Sequence, residues 1–280
     1  MSLFWVRRLM QTKWLVVGLA LVAGSATAAP GGGKALAKKP AGTDVLAPLV
    51  TALWSDDVEA AAKAAGQLGA LDLPAAHDAL LDALAFGLPA AVAVPALASL
   101  TVHPAPPDVT MLATYAHHRN PTIRGAALGS LALYPDPRAR TTIALGLHDP
   151  MGIVRSAAAS AAAHGHVRES TEALFALLAK GEEPAARALA QLADPELARK
   201  IAEQLGQVPD ASLALCLGLV LSRADFGPDP ARVEIVRSIA KIQDPAAVAA
   251  LTAYLDGTPK NPPRPSRREA EMVVSARGGK

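Results

Sequence analysis

Apolar residues recur along most of the chain at the three- and four-residue spacing of an amphipathic helix, and not in the strict alternation of a strand. The pattern therefore predicts an all-α protein. The predicted helix pairs are 57–69 with 74–85, 89–101 with 107–117, 121–133 with 136–147, 150–164 with 168–179, 183–192 with 194–206, and 229–242 with 244–256. A helix at 210–222 has no clear partner, and a capping helix is expected at 43–54.

A short phrase recurs in these helices: an acidic or amide residue, usually a proline, a short gap, and then an arginine before an alanine-rich run. The arginines of three copies are Arg124, Arg155 and Arg187, spaced 31 and 32 residues apart. A period of this length is typical of stacked antiparallel helix pairs, so we predict an α-solenoid. Glu59 and Ala91 occupy the arginine position in the first two copies, which are degenerate.

Asp-Pro and Asn-Pro pairs mark the expected helix starts. The Asp or Asn side chain accepts a hydrogen bond from a free N–H of the first turn, and proline fits next because its missing N–H would be unpaired there. The pairs in the helical region are Asn120-Pro121, Asp136-Pro137, Asp149-Pro150, Asp194-Pro195, Asp229-Pro230 and Asp244-Pro245. Asp56 and Glu59 have the spacing of a capping box and predict a start without proline.

The stretch from residue 56 to residue 256 resembles HEAT repeats, especially the short bacterial type related to bilin-lyase repeats. The resemblance rests on Asp149-Pro150, Ile153-Val154-Arg155 and Ala157-Ala158-Ala159, with looser copies at 120–131 and 56–69. Repeats of this kind specify an architecture and leave the function open.

The resemblance also implies a role for the polar residues of the phrase. In HEAT repeats an Asp and an Arg of the first helix often form a ladder between neighbouring repeats. Asp149 with Arg155 and Asn120 with Arg124 are therefore expected to stabilise the stack, and Arg187 belongs to the same series.

The N-terminal region differs in composition from the repeats. Residues 1–28 carry Arg7, Arg8 and Lys13 before an apolar run and end in Ala26-Thr27-Ala28, a small-residue pattern that signal peptidase accepts. We predict a cleaved secretory signal, with an uncleaved membrane anchor as the alternative. Residues 29–42 are rich in Gly, Pro and Lys and are predicted to be a flexible linker.

Charge is distributed unevenly along the chain. The solenoid, expected at 43–256, has a net charge of −8, whereas the segments on either side are basic. A nucleic-acid-binding protein would carry a basic face on its folded part, so we predict no nucleic-acid partner. The Pro-rich basic stretch 257–280 is predicted to be a disordered tail. Membrane contact is expected only through an uncleaved signal or weakly through this tail.

Side chains able to support catalysis or bind a metal show no regular pattern. His117-His118 and His164-Gly165-His166 end two predicted helices, but no Asp, Glu or Cys lies at a ligand spacing beside them. The single cysteine, Cys216, lies in an apolar run, which predicts a buried thiol. We therefore predict no catalytic residue, no metal site and no cofactor.

These features predict an exported, non-catalytic scaffold that binds a protein or peptide partner in the periplasm or cell envelope. Tyr115 and His118, near the end of one predicted helix, are candidate partner-binding residues. In the competing interpretation, Tyr115 fills a gap between alanine-rich helices. The alternative function is an accessory enzyme subunit, or a lyase-like repeat protein with a metal or bilin site.

Overall fold

The computed structural model describes residues 43–262 and 264–278, so the predicted signal 1–28 and linker 29–42 lie outside the described residues. The described part contains fifteen α-helices and no β-strand. They are α1 (Thr43–Leu53), α2 (Val58–Gly69), α3 (Pro74–Phe86), α4 (Ala90–Ser99), α5 (Pro106–Tyr115), α6 (Pro121–Leu131), α7 (Pro137–Gly146), α8 (Gly152–His164), α9 (Thr171–Ala179), α10 (Glu183–Leu192), α11 (Pro195–Ala202), α12 (Asp210–Ser222), α13 (Asp229–Lys241), α14 (Pro245–Gly257) and α15 (Pro265–Gly278). None of them has both the length and the apolar character needed to cross a bilayer.

The helices form two layers. The even-numbered helices from α2 to α14 pack side by side in chain order. Each odd-numbered helix packs against an even-numbered helix that is its neighbour in the chain. The buried apolar side chains of both sets form one continuous core. This arrangement confirms the predicted all-α solenoid of stacked antiparallel helix pairs, with a HEAT-like architecture.

Four helices start at the caps that the sequence predicts. The side chains of the capping residues each accept a hydrogen bond from a backbone N–H in the first turn, which satisfies a donor that has no partner inside the helix. These caps are Asn120 of α6, Asp136 of α7, Asp194 of α11 and Asp244 of α14. In each case proline follows directly, as expected.

Three predicted starts differ in detail. α2 begins one residue later than expected, so Asp57 caps it, and the predicted box between Asp56 and Glu59 is wrong. Asp149 accepts from a backbone N–H just before α8 begins. Asp229 lies inside the first turn of α13, where its carboxylate accepts a hydrogen bond from the backbone N–H of Ser266 in α15.

Small residues let the even-numbered helices approach closely. A Cβ added to Gly69 of α2 would lie 2.4 Å from the Cβ of Ser99 in α4. A Cβ added to Gly218 of α12 would lie 2.7 Å from the Cβ of Ala250 in α14. Carbon atoms in close-packed interiors do not approach to these distances, so both positions require glycine.

The C-terminal stretch forms a helix, α15, so the predicted disordered tail 257–280 is wrong for Pro265–Gly278. Ser266, Arg267 and Ala270 are buried where α15 packs against α13 and α14. The guanidinium group of Arg267 donates hydrogen bonds to the carbonyl oxygens of Leu255 and Thr258 at the end of α14. This basic residue therefore bonds to carbonyl groups at the end of a helix, whereas the sequence predicts a solvated side chain.

Contacts between an arginine and the end of the preceding helix recur among the last four helices. Arg232 of α13 donates to carbonyl oxygens at and after the end of α12, as Arg267 of α15 does for α14. α12 packs against both α11 and α13, and α14 packs more extensively against α15 than against α13. The helix predicted at 210–222 without a clear partner therefore has a neighbour on each side, and the predicted pairing of 229–242 with 244–256 is wrong because α15 is the main partner of α14.

Candidate functional site

The arginines of the repeated phrase form ion pairs that cross from one repeat to the next. Nε and Nη2 of Arg124 donate to Oδ2 and Oδ1 of Asp149, each at 2.8 Å, and Nη1 donates to the carbonyl oxygen of His118 at 2.9 Å. The two charged side chains are only 13 and 12% exposed. The hydrogen bond from Arg124 holds the pKa of Asp149 below its usual value. α6 is thereby joined to the segment that precedes α8.

The second ion pair has the same form. Nε of Arg155 donates to Oε1 of Glu182 at 2.9 Å, and Nη1 donates to the carbonyl oxygen of Asp149 at 2.9 Å. The hydrogen bond to Glu182 raises the pKa of Arg155. The side chains of Asp149 and Arg155, and those of Asn120 and Arg124, do not hydrogen-bond to each other, because each arginine reaches forward to the acid of the next repeat.

The series of crossing ion pairs stops at α10. Arg187 follows Arg155 in the repeat, but it pairs with Glu183, one turn earlier in its own helix. The two side chains are 60 and 57% exposed, so this pair contributes little to stability. Arg223 takes over the contact between repeats by donating, at 2.8 Å, to two carbonyl oxygens at the end of α10.

Arg155→Ala is expected to lower the free energy of unfolding by about 1–3 kcal/mol. The substitution leaves the partly buried carboxylate of Glu182 without its partner and removes the donor to the Asp149 carbonyl oxygen. Urea denaturation measures the loss. Arg187→Ala removes an exposed pair and is the matched control, with an expected change below about 0.5 kcal/mol. Equal losses in the two variants would contradict the assigned roles.

The lowered pKa of Asp149 predicts a pH dependence of stability. Its carboxylate stays ionised to lower pH in the folded protein than in the unfolded chain. The resulting stabilisation is complete above the unfolded pKa of about 4 and is lost as the pH falls through the folded pKa. Asp149→Asn should therefore flatten the fall in melting temperature between about pH 5 and pH 3. Asp256→Asn changes an exposed acid and should reproduce the parent slope.

Tyr115 lies in the core and not on a partner-binding surface. Its ring is buried, and its hydroxyl donates to the carbonyl oxygen of Leu84 at 2.6 Å. The ring stacks on the imidazole of His118 with 5.9 Å between centroids. Nδ1 of His118 accepts from the backbone N–H of Asn120 at 3.0 Å. These contacts fit the packing interpretation of Tyr115, whereas His118 is half-buried and its assignment to partner binding stays a prediction.

A buried polar cluster that the sequence patterns did not indicate joins α3, α5 and the end of α6. Asp108 is fully buried, and its Oδ1 lies 2.7 Å from Nε2 of His77. Its Oδ2 accepts from the hydroxyl of Tyr134 at 2.8 Å and from the N–H of Ala105 at 2.7 Å. Burial, with the nearby carboxylate, raises the pKa of Tyr134. His77 and Asp108 are 31 residues apart, one repeat period, so a search at that offset would have found the pair.

The remaining histidines and the cysteine do not form a recognisable chemical site. Within residues 43–262 and 264–278, no three His, Cys, Asp or Glu side chains gather as a metal site would require. His164 is bound to its own helix, with Nδ1 2.9 Å from the carbonyl oxygen of Ser160. Burial raises the pKa of the Cys216 thiol to about 12, so the thiol is protonated at neutral pH and a poor nucleophile.

One surface of the solenoid carries very few charges. The only Asp, Glu, Lys or Arg residues within α4, α6 and α8 are Arg124 and Arg155, and both are paired with acids of the next repeat. The solvent side of these three helices therefore presents small and apolar side chains, and we name it the even-helix face. It includes Ala91, Ala98, Ala126, Gly129, Ile153 and Ser160.

A groove of about 370 Å³ lies between α8 and α10, where the even-helix face ends. It is lined by polar side chains that include Ser156, Ser160, His164, Arg187 and Gln191. The face offers apolar contact area and the groove offers hydrogen-bonding groups beside it. A weakly charged centre bordered by polar groups is the usual arrangement of a protein–protein interface.

No protein-family model matches the chain, and no curated protein matches it. Similar solved structures include phycocyanin lyase from a species of Nostoc, in the complex of CpcE and CpcF, at 17% identity, covering 92% of this chain and 99% of that one, with a TM-score of 0.46. Human deoxyhypusine hydroxylase in complex with glycerol is 18% identical, covering 84% and 96%, with a TM-score of 0.40. The karyopherin Kap121p, bound to the extreme C-terminus of the protein phosphatase Cdc14p, is 14% identical, covering 80% and 28%, with a TM-score of 0.47.

Proposed function

We propose that this protein is an exported scaffold that binds a protein or peptide partner and carries no catalytic activity of its own. The even-helix face supports partner binding most directly, because three successive even-numbered helices present small side chains and no unpaired charge there. Stacked repeats place such helices next to one another and so create an extended surface, the form of binding site that solenoids offer to polypeptides.

The chemistry of this surface favours a polypeptide partner. Small side chains such as Ala98 and Gly129 allow the backbone of a partner to approach closely, and Ile153 adds an exposed apolar contact. Arg187 and Gln191 in the adjacent groove can form hydrogen bonds to carbonyl or carboxylate groups. A phosphate backbone would instead meet a repeat region of net charge −8.

The partner-binding role can be tested by placing a charge on the even-helix face. Ala98→Arg introduces a long cationic side chain on α4, and Ala176→Arg introduces the same side chain at an exposed position of α9, away from the face. Tagged parent protein and both variants are cross-linked in cells, and the captured proteins are identified by mass spectrometry. We expect the partners of the parent to be retained by Ala176→Arg and lost with Ala98→Arg. Capture that is equal for all three would contradict a role for this face.

The proposed location outside the cytoplasm rests on the sequence of residues 1–28. Arg7, Arg8 and Lys13, an apolar run and the Ala26-Thr27-Ala28 pattern support export through a cleaved signal. Amino-terminal sequencing of the protein from its native cell should give a first residue of Ala29. A chain that begins at Met1 and fractionates with membranes would favour the anchored alternative.

A further inference from the structure

Negative charge is concentrated in the first repeats. Between residues 43 and 105 the chain has seven acidic residues and a single basic one, Lys63, a net charge of −6. The first arginine of the described part is Arg119. The exposed acids are Asp56, Asp57, Glu59, Asp72, Asp78 and Asp82. A surface of this kind attracts cationic partners and repels anionic ones.

Two large aromatic side chains are exposed in the same repeats. Trp54 is 50% exposed and Phe86 is 61% exposed, and their rings meet edge to face with 5.9 Å between centroids. Several other aromatic residues of the described part are buried, namely Tyr115, Tyr134, Tyr254 and Phe226. Paired rings left in water at one place on a folded surface are typical of a binding site, since aromatic residues are enriched at interfaces.

Two acids of α3 lie on the same side of the helix as Phe86, one ring of this aromatic pair. Asp78, Asp82 and Phe86 follow one another at intervals of four residues, so they lie on one exposed side of the helix. Neither Asp78 nor Asp82 forms an ion pair with a described basic residue. Two like charges one turn apart destabilise a helix. A cation bound between them would remove that repulsion.

A cavity of about 290 Å³ opens at the N-terminal end of α3. Its lining includes Leu71, Leu73, Leu81, Asp72, Asp78 and His77. The combination of an apolar wall and carboxylate groups matches the side chains of lysine and arginine, which have an apolar stem and a charged head. The cavity and the aromatic pair therefore lie at opposite ends of the same acidic side of α3.

We propose that this surface, formed by Trp54, Phe86, Asp78, Asp82 and the adjoining cavity, binds a lysine- or arginine-rich segment of a partner protein. One cationic side chain enters the cavity, with its stem on the leucines and its head at Asp78. Another lies at Asp82 and over an aromatic ring, where the ring face attracts a cation. Asp78 and Phe86 are about 12 Å apart along the helix axis, a distance that about four residues of extended chain span.

This site goes beyond the proposed scaffold function and is independent of the even-helix face. It is built from α3, the end of α1 and the adjoining ends of α2 and α5, whereas the even-helix face is built from α4, α6 and α8. A variant that blocks one surface leaves the residues of the other unchanged. Ala98→Arg should therefore retain binding of a basic peptide even where it abolishes capture of partners.

The test uses the full chain and two fluorescently labelled peptides, hexalysine and hexaglutamate. Fluorescence anisotropy should show saturable binding of hexalysine and none of hexaglutamate. Asp78→Asn combined with Asp82→Asn should weaken hexalysine binding about tenfold, because it removes the two charges that face the ligand. Phe86→Ala should weaken it severalfold through loss of the cation–ring contact.

Glu172→Gln combined with Glu203→Gln is the matched control, because it removes the same charge from exposed positions of later repeats. This variant should bind hexalysine as the parent does, and thermal melts should show both double variants to be folded. Three results would overturn the proposal: no binding of hexalysine by the parent, unchanged affinity in the Asp78 and Asp82 variant, or an equal loss of affinity in the control. The last would show that binding follows net charge and not this surface.

Discussion

Replacing Asp108 with alanine is expected to lower the free energy of unfolding by about 3–5 kcal/mol, the cost of breaking a buried polar pair. The carboxylate is fully buried and contacts His77, Tyr134 and the N–H of Ala105. Its removal leaves these groups without their partner in a site closed to water, and it leaves a gap between α3, α5 and the end of α6. Urea denaturation followed by circular dichroism measures the change.

Two further variants separate the buried cluster from a general effect of charge. Tyr134→Phe removes one donor and keeps the ring, so we expect a smaller loss of about 1–2 kcal/mol. Asp72→Ala removes an exposed acid from the same repeats and should change stability by less than about 0.5 kcal/mol. If Asp108→Ala were no more destabilising than Asp72→Ala, the cluster would not hold the three elements together.

Gly69→Ala is expected to destabilise the protein by about 1–3 kcal/mol, although alanine favours a helix more than glycine does. The added Cβ would lie 2.4 Å from the Cβ of Ser99 and 2.9 Å from its Cα and carbonyl oxygen. Because two of these atoms belong to the backbone, no rotation of a side chain relieves the overlap. α2 and α4 would have to move apart, which weakens the contact between the first two repeats. The melting temperature reports the loss.

Gly66→Ala in the same helix is the control with the opposite expected sign. A Cβ added at Gly66 meets nothing within 4 Å. Only the intrinsic preference for helix remains, so this substitution should raise stability by about 0.5–1 kcal/mol. A stabilising Gly69→Ala would show that the two helices are not held at the close separation that the structure describes.

The helices and their starts were predictable because the signals that specify them are local. A capping side chain such as Asp136 or Asp244 bonds to N–H groups two residues away, and the proline after it lies within the same turn. Apolar spacing within a single helix determines which side it buries. The repeat period then follows from comparing such segments along the chain, and it implies the stacked architecture.

Partners between repeats were not predictable in the same way, since they depend on which residues the stack brings together. Arg124 was identified as a stabilising residue, but its partner is Asp149, 25 residues further along the chain. His77 and Asp108 lie 31 residues apart, and neither residue belongs to a local sequence motif that would indicate the contact. An offset of one period links His77 with Asp108, but the ion pairs of Arg124 and Arg155 span 25 and 27 residues, so no single offset identifies all of these partners.

The C-terminal helix shows the limit of composition. Prolines and basic residues after residue 257 suggested a solvated tail, because charged side chains are usually exposed. The tertiary structure provides partners for those charges: Arg267 bonds to the end of α14, and Arg277 bonds to carbonyl oxygens of Ala240 and Ile242. Ala270 is fully buried beside them. Burial of a charged residue depends on acceptors supplied from elsewhere in the chain, which composition does not reveal.

The sequence by itself determined the all-α class, the repeat period, most helix starts and the solenoid, because local hydrogen bonds and helical periodicity encode each of them. Only the tertiary structure decided which side chains meet across repeats, that Tyr115 is buried, and that Trp54 and Phe86 are exposed as a pair beside the acids of α3. The physical reason is that exposure and pairing are properties of the packed stack. A side chain's neighbours in the stack come from helices about one period away. Those helices determine whether a polar side chain finds a hydrogen-bond partner and whether an apolar one is covered.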